Sequence, residues 1–368
     1  MEGDMSTGLK MTIALVVIGL VSTAAPAQPA QADPRAAQAV LVKQVKEHID
    51  KAKAAAGKEW PWFQQMLCSN PQLGGDVIGM FFGASRLSAP DADFEPVRVF
   101  DTLYYVGLQQ LGAWAVTTSQ GIMLIDALNP GDTEPRLLPN ITKVGLNPAE
   151  IKIVIVTHAH ADHGGGGGAK YLQDKFGAKI VMSAQDWDGA VKGGPGGPNN
   201  APRRDVVATD GDKVTLGHVT VTTVFTPGHT PGSISVIVPV KADGVSHTAM
   251  MWGGPQWGFR NADVPAREFY ENSLVKFQQA VKRAGADVVL ESHPFLSNLV
   301  EKLAALRNRK ATGPNPLIVG TDAVDRYMTI WTECGRASVA RYKQYQLKYG
   351  PNARDWPQPA FMDEELLR

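Results

Sequence analysis

The stretch Ile151-Lys-Ile-Val-Ile-Val-Thr-His-Ala-His-Ala-Asp-His163 joins a strand pattern to a cluster of metal-binding residue types. Its first six residues are mostly β-branched and apolar, which is typical of a buried strand. The residues that follow offer imidazole nitrogens and a carboxylate oxygen, ligands that zinc accepts readily. The chain has only 8 histidines in 368 residues, so three within six positions favour a metal-binding loop over a polar loop that is rich in histidine by chance. The candidate ligands are His158, His160, Asp162 and His163.

The spacing of these residues divides them into two pairs. His158 and His160 are two positions apart and can hold one ion from an extended loop. Asp162 and His163 then point elsewhere, toward a second ion. Since one loop cannot complete two metal sites, we expect further ligands from other parts of the chain.

Two more histidines occupy equivalent places after predicted strands. His229 lies in Thr226-Pro-Gly-His-Thr-Pro-Gly232, after a strand that ends at Phe225, and His293 lies in Glu291-Ser-His-Pro294, after a strand that ends at Leu290. Taken alone, each has a structural interpretation as an alternative, His229 as a residue of a turn and His293 as a residue at the start of a helix. Active sites of layered α/β proteins favour loops beyond the strand ends, so the shared placement predicts that these loops converge.

These motifs resemble those of the metallo-β-lactamase fold superfamily, over about residues 94–306. Among its branches, the chain is most similar to the class B β-lactamase subclass with His-His-His and Asp-His-His zinc sites. The resemblance implies an α/β fold, the αβ/βα sandwich of two face-to-face mixed β-sheets flanked by helices, here with helical extensions at both ends. It also implies two Zn²⁺ per chain, one held by His158, His160 and His229 and the other by Asp162, His163 and His293.

The segment Met250-Met-Trp-Gly-Gly-Pro255 departs from the patterns of several branches. Glyoxalase II-type hydrolases place a metal-bridging aspartate there, and its absence favours the β-lactamase branches. Those β-lactamases have a serine near this position, where this chain has glycine, and the cysteine ligand of another subclass is missing too. Trp252 and Trp257 are candidate walls of a substrate pocket, and packing in the core is the alternative.

The resemblance implies a hydrolase that opens a cyclic amide, specifically a β-lactam, with a hydroxide bridging two zinc ions. Asp162 would orient the nucleophile and take part in proton transfer. One alternative is the same chemistry on a lactone, another ester or another amide. An iron-dependent oxygenase or redox protein and an inactive binding module are the others. Five imidazoles among six ligands favour zinc over iron.

The charge balance narrows the choice of partner. Lys+Arg and Asp+Glu number 36 each and the pI is near 7.1, which argues against nucleic acid or an anionic membrane surface. A hydrophobic fraction of 44% and a charged fraction of 20% are ordinary for a soluble globular protein. We therefore expect a small-molecule substrate, while the oligomeric state stays open.

Residues 1–32 have the pattern of a secretory signal peptide. Lys10 precedes the apolar run Met11–Val21, and an Ala-x-Ala site ends at Ala32. This run is shorter than the roughly 20 residues that span a bilayer, so we expect no stable membrane anchor, with an uncleaved anchor as the alternative. Glu2 and Asp4 are unusual in a signal, and translation could start at Met5. These features predict a periplasmic or secreted protein.

The remaining chain divides into three predicted regions. Residues 33–96 form an N-terminal helical and irregular appendage with a helix over 35–56, residues 97–310 form the hydrolase domain, and residues 311–368 form a C-terminal helical extension. The glycine run 164–168 is interpreted as clearance between the ligand loop and a helix. Cys68 and Cys334 are not metal ligands, and the sequence leaves open whether they form a disulfide. Three further histidines are expected to be structural: His48, on a helix, and His218 and His247, both near turns.

Overall fold

The computed structural model describes residues 34–69, 94–193, 198–255, 264–309 and 313–351. The predicted signal peptide and Trp257 lie outside the described residues. None of the described helices combines the length and the apolar character needed to cross a bilayer.

The first β-sheet has seven strands, which follow one another in chain order from one edge to the other. Strands β1 to β4 pair antiparallel, and β4 to β7 pair parallel. The parallel half brings the C-terminal ends of β4, β5 and β6 to one edge, where the histidine cluster begins. The strands are β1 Val97–Arg98, β2 Leu103–Tyr105, β3 Trp114–Thr118, β4 Gly121–Ile125, β5 Ile151–Ile155, β6 Lys179–Ser183 and β7 Val206–Ala208.

The second β-sheet has five strands in the order β12-β11-β10-β9-β8. Strands β8 to β11 pair antiparallel, and β12 returns to pair parallel with β11. His229 lies in the loop after β9, and His293 lies in the loop after β12. The strands are β8 Lys213–Leu216, β9 Val219–Phe225, β10 Ile234–Ala242, β11 Val245–Met251 and β12 Val288–Leu290.

Alternating side chains give each sheet one inner and one outer apolar face. Met123 and Val236 point into the core between the sheets, whereas their neighbours Leu124 and Ile237 point outward to helices. The fold is therefore the expected αβ/βα sandwich with helical extensions. Among the described residues, the α-helices of six or more residues are α1 Pro34–Ala56, α2 Pro61–Ser69, α3 Leu138–Lys143, α4 Gly168–Phe176, α5 Ala184–Gly193, α6 Val264–Ala284, α7 Leu299–Arg307 and α8 Thr321–Tyr349.

Helices from both ends of the chain form one layer outside the second sheet. Residues of α1, α2, α6 and α8 share an apolar cluster with the outer face of that sheet. A disulfide with an S–S distance of 2.04 Å joins Cys68 on α2 to Cys334 on α8, which answers the question that the sequence left open. His48 Nδ1 lies 2.7 Å from Glu333 Oε2, so this histidine ties α1 to α8, in keeping with its expected structural role. The predicted boundaries of the three regions stay a prediction.

Several local predictions need correction. The stretch predicted to be irregular from residue 64 to about residue 96 begins within a helix, because α2 buries Phe63 and Leu67 on one helical face. Residues 70–93 of that stretch lie outside the described residues. Strand β7 and helix α5 were not predicted from the sequence. His247 is in β11, three residues after the turn at residues 243–244, so its predicted place near a turn is confirmed, and its Nδ1 lies 2.5 Å from Asp287 Oδ2.

Candidate metal centre

The loop after β5 is held against its neighbours by glycines that leave no room for a side chain. A Cβ on Gly165 would lie 2.4 Å from the carbonyl carbon and oxygen of Ala159, and one on Gly168 would lie 2.6 Å from the Leu128 oxygen. Gly164 has a φ of 106°, a conformation that favours glycine. The interpretation of the glycine run as clearance is therefore confirmed.

The structure brings His158, His160 and His229 together as one group of three imidazoles. The Nε2 atom of His229 lies 3.1 Å from His158 Nε2 and 3.1 Å from His160 Nδ1. His158 and His229 are buried, whereas His160 is partly exposed. The three nitrogens thus converge from the ends of β5 and β9.

Asp162, His163 and His293 form a second group beside the first. His163 Nε2 lies 3.2 Å from His293 Nε2 and 3.6 Å from Asp162 Oδ2, and His293 Nε2 lies 3.9 Å from the same carboxylate oxygen. The ring centroids of His158 and His163 are 4.0 Å apart, so the two groups are adjacent. All six residues that the sequence singled out as ligands are therefore close together.

The spacing within each group fits a tetrahedral metal ion. With metal–nitrogen bonds of about 2.0–2.1 Å, two ligand atoms of a tetrahedral zinc site lie about 3.3 Å apart. The nitrogen–nitrogen distances of 3.1 and 3.2 Å are close to that value. Neutral imidazole nitrogens that face one another without a hydrogen between them repel, so a cation between them is a favourable partner.

Asp126, directly after β4, orients one of the imidazoles from behind. Its Oδ2 lies 2.8 Å from His163 Nδ1, and its Oδ1 accepts the Thr157 backbone N–H and hydroxyl, each at 2.9 Å. An Nδ1–H that donates to a carboxylate leaves Nε2 with its lone pair facing the site. His293 is held likewise, because its Nδ1 lies 3.1 Å from the Gln110 carbonyl oxygen. Asp126 had no predicted role, although its position at a strand end was a usable signal.

Asp186 on α5 connects the loops of the first group. Its Oδ2 accepts the Ala159 N–H at 2.9 Å and the Thr230 hydroxyl at 2.8 Å. Burial raises its pKa to about 6, against the effect of these hydrogen bonds and of one from the Gly232 N–H. Sequence reasoning missed this residue as well, and its position three residues after the end of β6 was the available signal.

The electrostatic environment favours neutral imidazoles at His158, His160 and His293 and a charged carboxylate at Asp162. Burial lowers the pKa of His158 and His160, and it lowers that of His293 to about 4. Burial alone would raise the pKa of Asp162, but His163 and His293 outweigh it and lower the pKa. Burial alone would lower the pKa of His163, but Asp162 and Asp126 outweigh it and raise the pKa.

The structure removes Trp252 from the predicted substrate contacts. Its side chain is 1% exposed and packs in the core, where its indole N–H lies 2.9 Å from the Tyr270 hydroxyl. The alternative that the sequence left open for Trp252, a place in the core, is therefore confirmed. The adjacent glycines are required by close packing, since a Cβ on Gly254 would lie 2.7 Å from His229 Cβ.

A different tryptophan contacts the loop that carries His293. Trp62 on α2 is 41% exposed, and its indole N–H donates to the Phe295 carbonyl at 3.3 Å. The Phe295 ring centroid lies 5.6 Å from that of His293. Helix α2 of the N-terminal region therefore contacts the loop that carries His293.

Comparisons with known proteins find similarity to one superfamily of metal-dependent hydrolases. Residues 110–241 match the model of the metallo-β-lactamase superfamily. A probable metallo-hydrolase of Burkholderia pseudomallei is 29% identical over 147 residues, which cover 36% of this chain and 49% of that protein. A hydroxyacylglutathione hydrolase of Thermosynechococcus vestitus is 28% identical over 127 residues, which cover 34% of this chain and 44% of that protein.

Among solved structures, a subclass B3 metallo-β-lactamase of Bradyrhizobium japonicum is 28% identical with a TM-score of 0.55. The similarity covers 67% of this chain and 94% of that one. The chain spans about half the length of the curated relatives that it matches. Five of the six clustered residues fall within the matched range 110–241, and His293 lies beyond it.

Proposed function

We propose that this chain, which carries a metallo-β-lactamase superfamily domain, is a dinuclear zinc hydrolase that opens a cyclic amide, specifically a β-lactam. The observation that carries the proposal is the pair of adjacent three-ligand groups, His158, His160 and His229 beside Asp162, His163 and His293. Five imidazoles and one carboxylate suit zinc better than iron, which favours sites richer in carboxylate.

The segment that follows β11 supports a β-lactamase over a glyoxalase II-type hydrolase. Trp252, Gly253 and Gly254 come where the latter have a metal-bridging aspartate, and Gly254 is in close contact with His229. A carboxylate at either glycine would need the surrounding backbone or His229 to move. The similarity to a subclass B3 metallo-β-lactamase points in the same direction.

When bound, a pair of zinc ions would lower the pKa of water toward about 7 and polarise the carbonyl that is attacked. The protein's part is to hold six donor atoms in place and to leave one side of the site open. His158, His163, His229 and His293 form the buried floor, whereas His160 and Asp162 are partly exposed. A substrate would therefore approach over His160 and Asp162.

Asp162 has the features of the catalytic carboxylate. Its side chain is 21% exposed, and its lowered pKa keeps it charged at neutral pH. One carboxylate oxygen faces His163 and His293, so the other can accept a hydrogen bond from the attacking water and orient it. The same oxygen can receive the proton of that water and pass it to the leaving amide nitrogen.

A substrate panel with metal analysis tests the proposal. We expect the purified full chain to contain two zinc ions and to hydrolyse penicillins, cephalosporins or carbapenems in preference to aryl lactones, aryl esters and a hydroxyacylglutathione thioester. Turnover of a lactone or thioester alone would overturn the choice of substrate but keep the hydrolase. Bound iron with no hydrolysis would instead favour an oxygenase.

His160→Ala is the variant that tests the metal centre itself. It should abolish turnover and lower the amount of bound metal. The matched control is His218→Ala, because His218 is exposed and its Nδ1 accepts only a weak hydrogen bond from Ser119 N–H at 3.3 Å. Activity that survives His160→Ala, or that a chelator does not inhibit, would contradict metal catalysis.

We further propose that the protein is exported to the periplasm or beyond. The sequence pattern of residues 1–32 supports this, and so does the pairing of Cys68 with Cys334, because disulfides persist in oxidising compartments. N-terminal sequencing of protein from fractionated cells should find a mature chain that begins near Asp33. An uncut chain in the cytoplasm would contradict export.

A further inference from the structure

We propose that the buried hydrogen bond from Tyr327 to Glu291 positions the metal ligand His293, so that helix α8 helps set the affinity of the Asp162, His163 and His293 site. This inference rests on the metal centre proposed above. It assigns a role in the site to a helix that lies outside the matched family domain.

The contact is close and excluded from water. The Tyr327 hydroxyl donates to Glu291 Oε1 at 2.7 Å, and the two residues are 0% and 1% exposed. The Tyr327 ring is itself fixed, because it stacks on Phe63 of α2 with centroids 4.4 Å apart and planes 9° apart. Trp60 packs edge-on against the same ring at 5.2 Å. The hydroxyl therefore has little freedom to follow Glu291 if that residue moves.

Glu291 begins the loop that carries His293, and the backbone of that loop is anchored from the opposite side. Trp114 Nε1 donates to the Glu291 carbonyl at 3.0 Å, and Gly112 N–H donates to the Ser292 carbonyl at 2.7 Å. His293 Nδ1 then donates to the Gln110 carbonyl. The first sheet thus holds the backbone of the loop, while α8 holds its one acidic side chain.

Loss of the Tyr327 hydroxyl should loosen the loop without unfolding the protein. The Glu291 carboxyl keeps a hydrogen bond from Ser297 and the nearby positive charge of Lys302. A phenylalanine retains the stacked ring, so the helical layer keeps its packing. What changes is the restraint on the backbone between β12 and His293, and a ligand that is held less firmly binds metal less tightly.

The test compares Tyr327→Phe with Tyr342→Phe. Tyr342 is also buried on α8, and its ring contacts Arg267 in a cation–π interaction that phenylalanine preserves. Stepwise zinc titration against a competing chelator should give two binding steps in the wild type. In Tyr327→Phe the zinc affinity of one step should fall by about tenfold, and that of the other should change by less than about twofold. Tenfold is the lower limit of the range of about 10–100-fold that is typical for residues that support a metal ligand. Tyr342→Phe should leave both steps within about twofold.

Two further arms assign the effect. In a His160→Ala background, which keeps the Asp162, His163 and His293 group intact, Tyr327→Phe should still weaken zinc binding by about tenfold. In a double-mutant cycle with Glu291→Met, the second substitution should add little to the first, because both remove the same contact.

Three results would overturn the inference: unchanged zinc affinity in Tyr327→Phe, additive effects with Glu291→Met, or equal weakening by Tyr342→Phe. A wild type that binds no metal would instead refute the metal centre itself. The two failures are therefore distinguishable in one experiment.

Discussion

Replacing Asp126 by asparagine should weaken zinc binding at the Asp162, His163 and His293 site. Asp126 Oδ2 lies 2.8 Å from His163 Nδ1, and both side chains are 1% exposed. Its other oxygen accepts two hydrogen bonds from Thr157. An asparagine can keep its oxygen toward Thr157, but its amide nitrogen then faces His163.

That substitution forces an unfavourable choice of tautomer on His163. If the ring keeps Nδ1–H, two donors face each other in a dry site, and a lost hydrogen bond to a charged group costs about 1.5–3 kcal/mol. If the proton moves to Nε2, the nitrogen that faces the metal has no free lone pair. Partners of this kind change metal affinity by about 10–100-fold, which corresponds to about 1.4–2.8 kcal/mol.

Competition between the protein and a chelator for zinc measures this loss, and Asp287→Asn is the matched control. Asp287 also pairs with a histidine, His247, at 2.5 Å, but in a region away from the cluster. We expect a loss of at least about tenfold in Asp126→Asn and less than about twofold in Asp287→Asn. Equal zinc affinity in Asp126→Asn and wild type would refute the argument that the carboxylate sets the tautomer of His163.

Three other predictions concern stability and loop geometry. Burial raises the pKa of Glu291 from 4.5 to about 7, so its contribution to stability is present below pH 4.5 and is lost as pH rises through 7. Denaturant titrations of the metal-free proteins at pH 4.5 and 7.5 measure this effect. The unfolding free energy of Glu291→Gln, taken relative to that of wild type, should be about 3 kcal/mol higher at pH 7.5 than at pH 4.5. Removing the disulfide by Cys68→Ser with Cys334→Ser should lower the unfolding free energy by about 2–5 kcal/mol in denaturant titrations, and an unchanged midpoint would argue against the bond. Gly165→Ala should reduce bound zinc in metal analysis, because its Cβ would collide with the backbone of the ligand loop, whereas Gly189→Ala, with nothing within 4 Å, should not.

The parts of the fold that follow from local patterns were predicted well. Strands β9 and β12 end where the sequence predicted, at Phe225 and Leu290, because runs of β-branched and apolar residues stop there. The six residues of the metal cluster were equally accessible, since histidine is rare in this chain and each ligand follows a strand.

The parts that depend on distant contacts were not predictable in this way. Trp252 and Trp62 are both tryptophans near glycine or proline, yet Trp252 is buried in the core and Trp62 is exposed and contacts the His293 loop. Only the packing of α2 and α6 decides between these positions. The pairing of Cys68 with Cys334 likewise depends on α2 lying against α8, which no local pattern encodes.

Three of the residues that sequence reasoning missed, Asp126, Asp186 and Glu291, share one physical property. Each is a buried carboxylate that holds a ligand loop in place and is not itself one of the six candidate metal ligands. Asp126 holds His163, Asp186 joins the loops of His158 and His229 through Ala159 and Thr230, and Glu291 connects the His293 loop to α8. Burying a carboxylate is costly, as the raised pKa of Asp186 and of Glu291 attests. Hydrogen bonds from the loops offset that cost, and in return the loops are fixed with their donor atoms about 3 Å apart. We therefore expect changes at these carboxylates to alter metal affinity more than changes of equal size on the exposed surface.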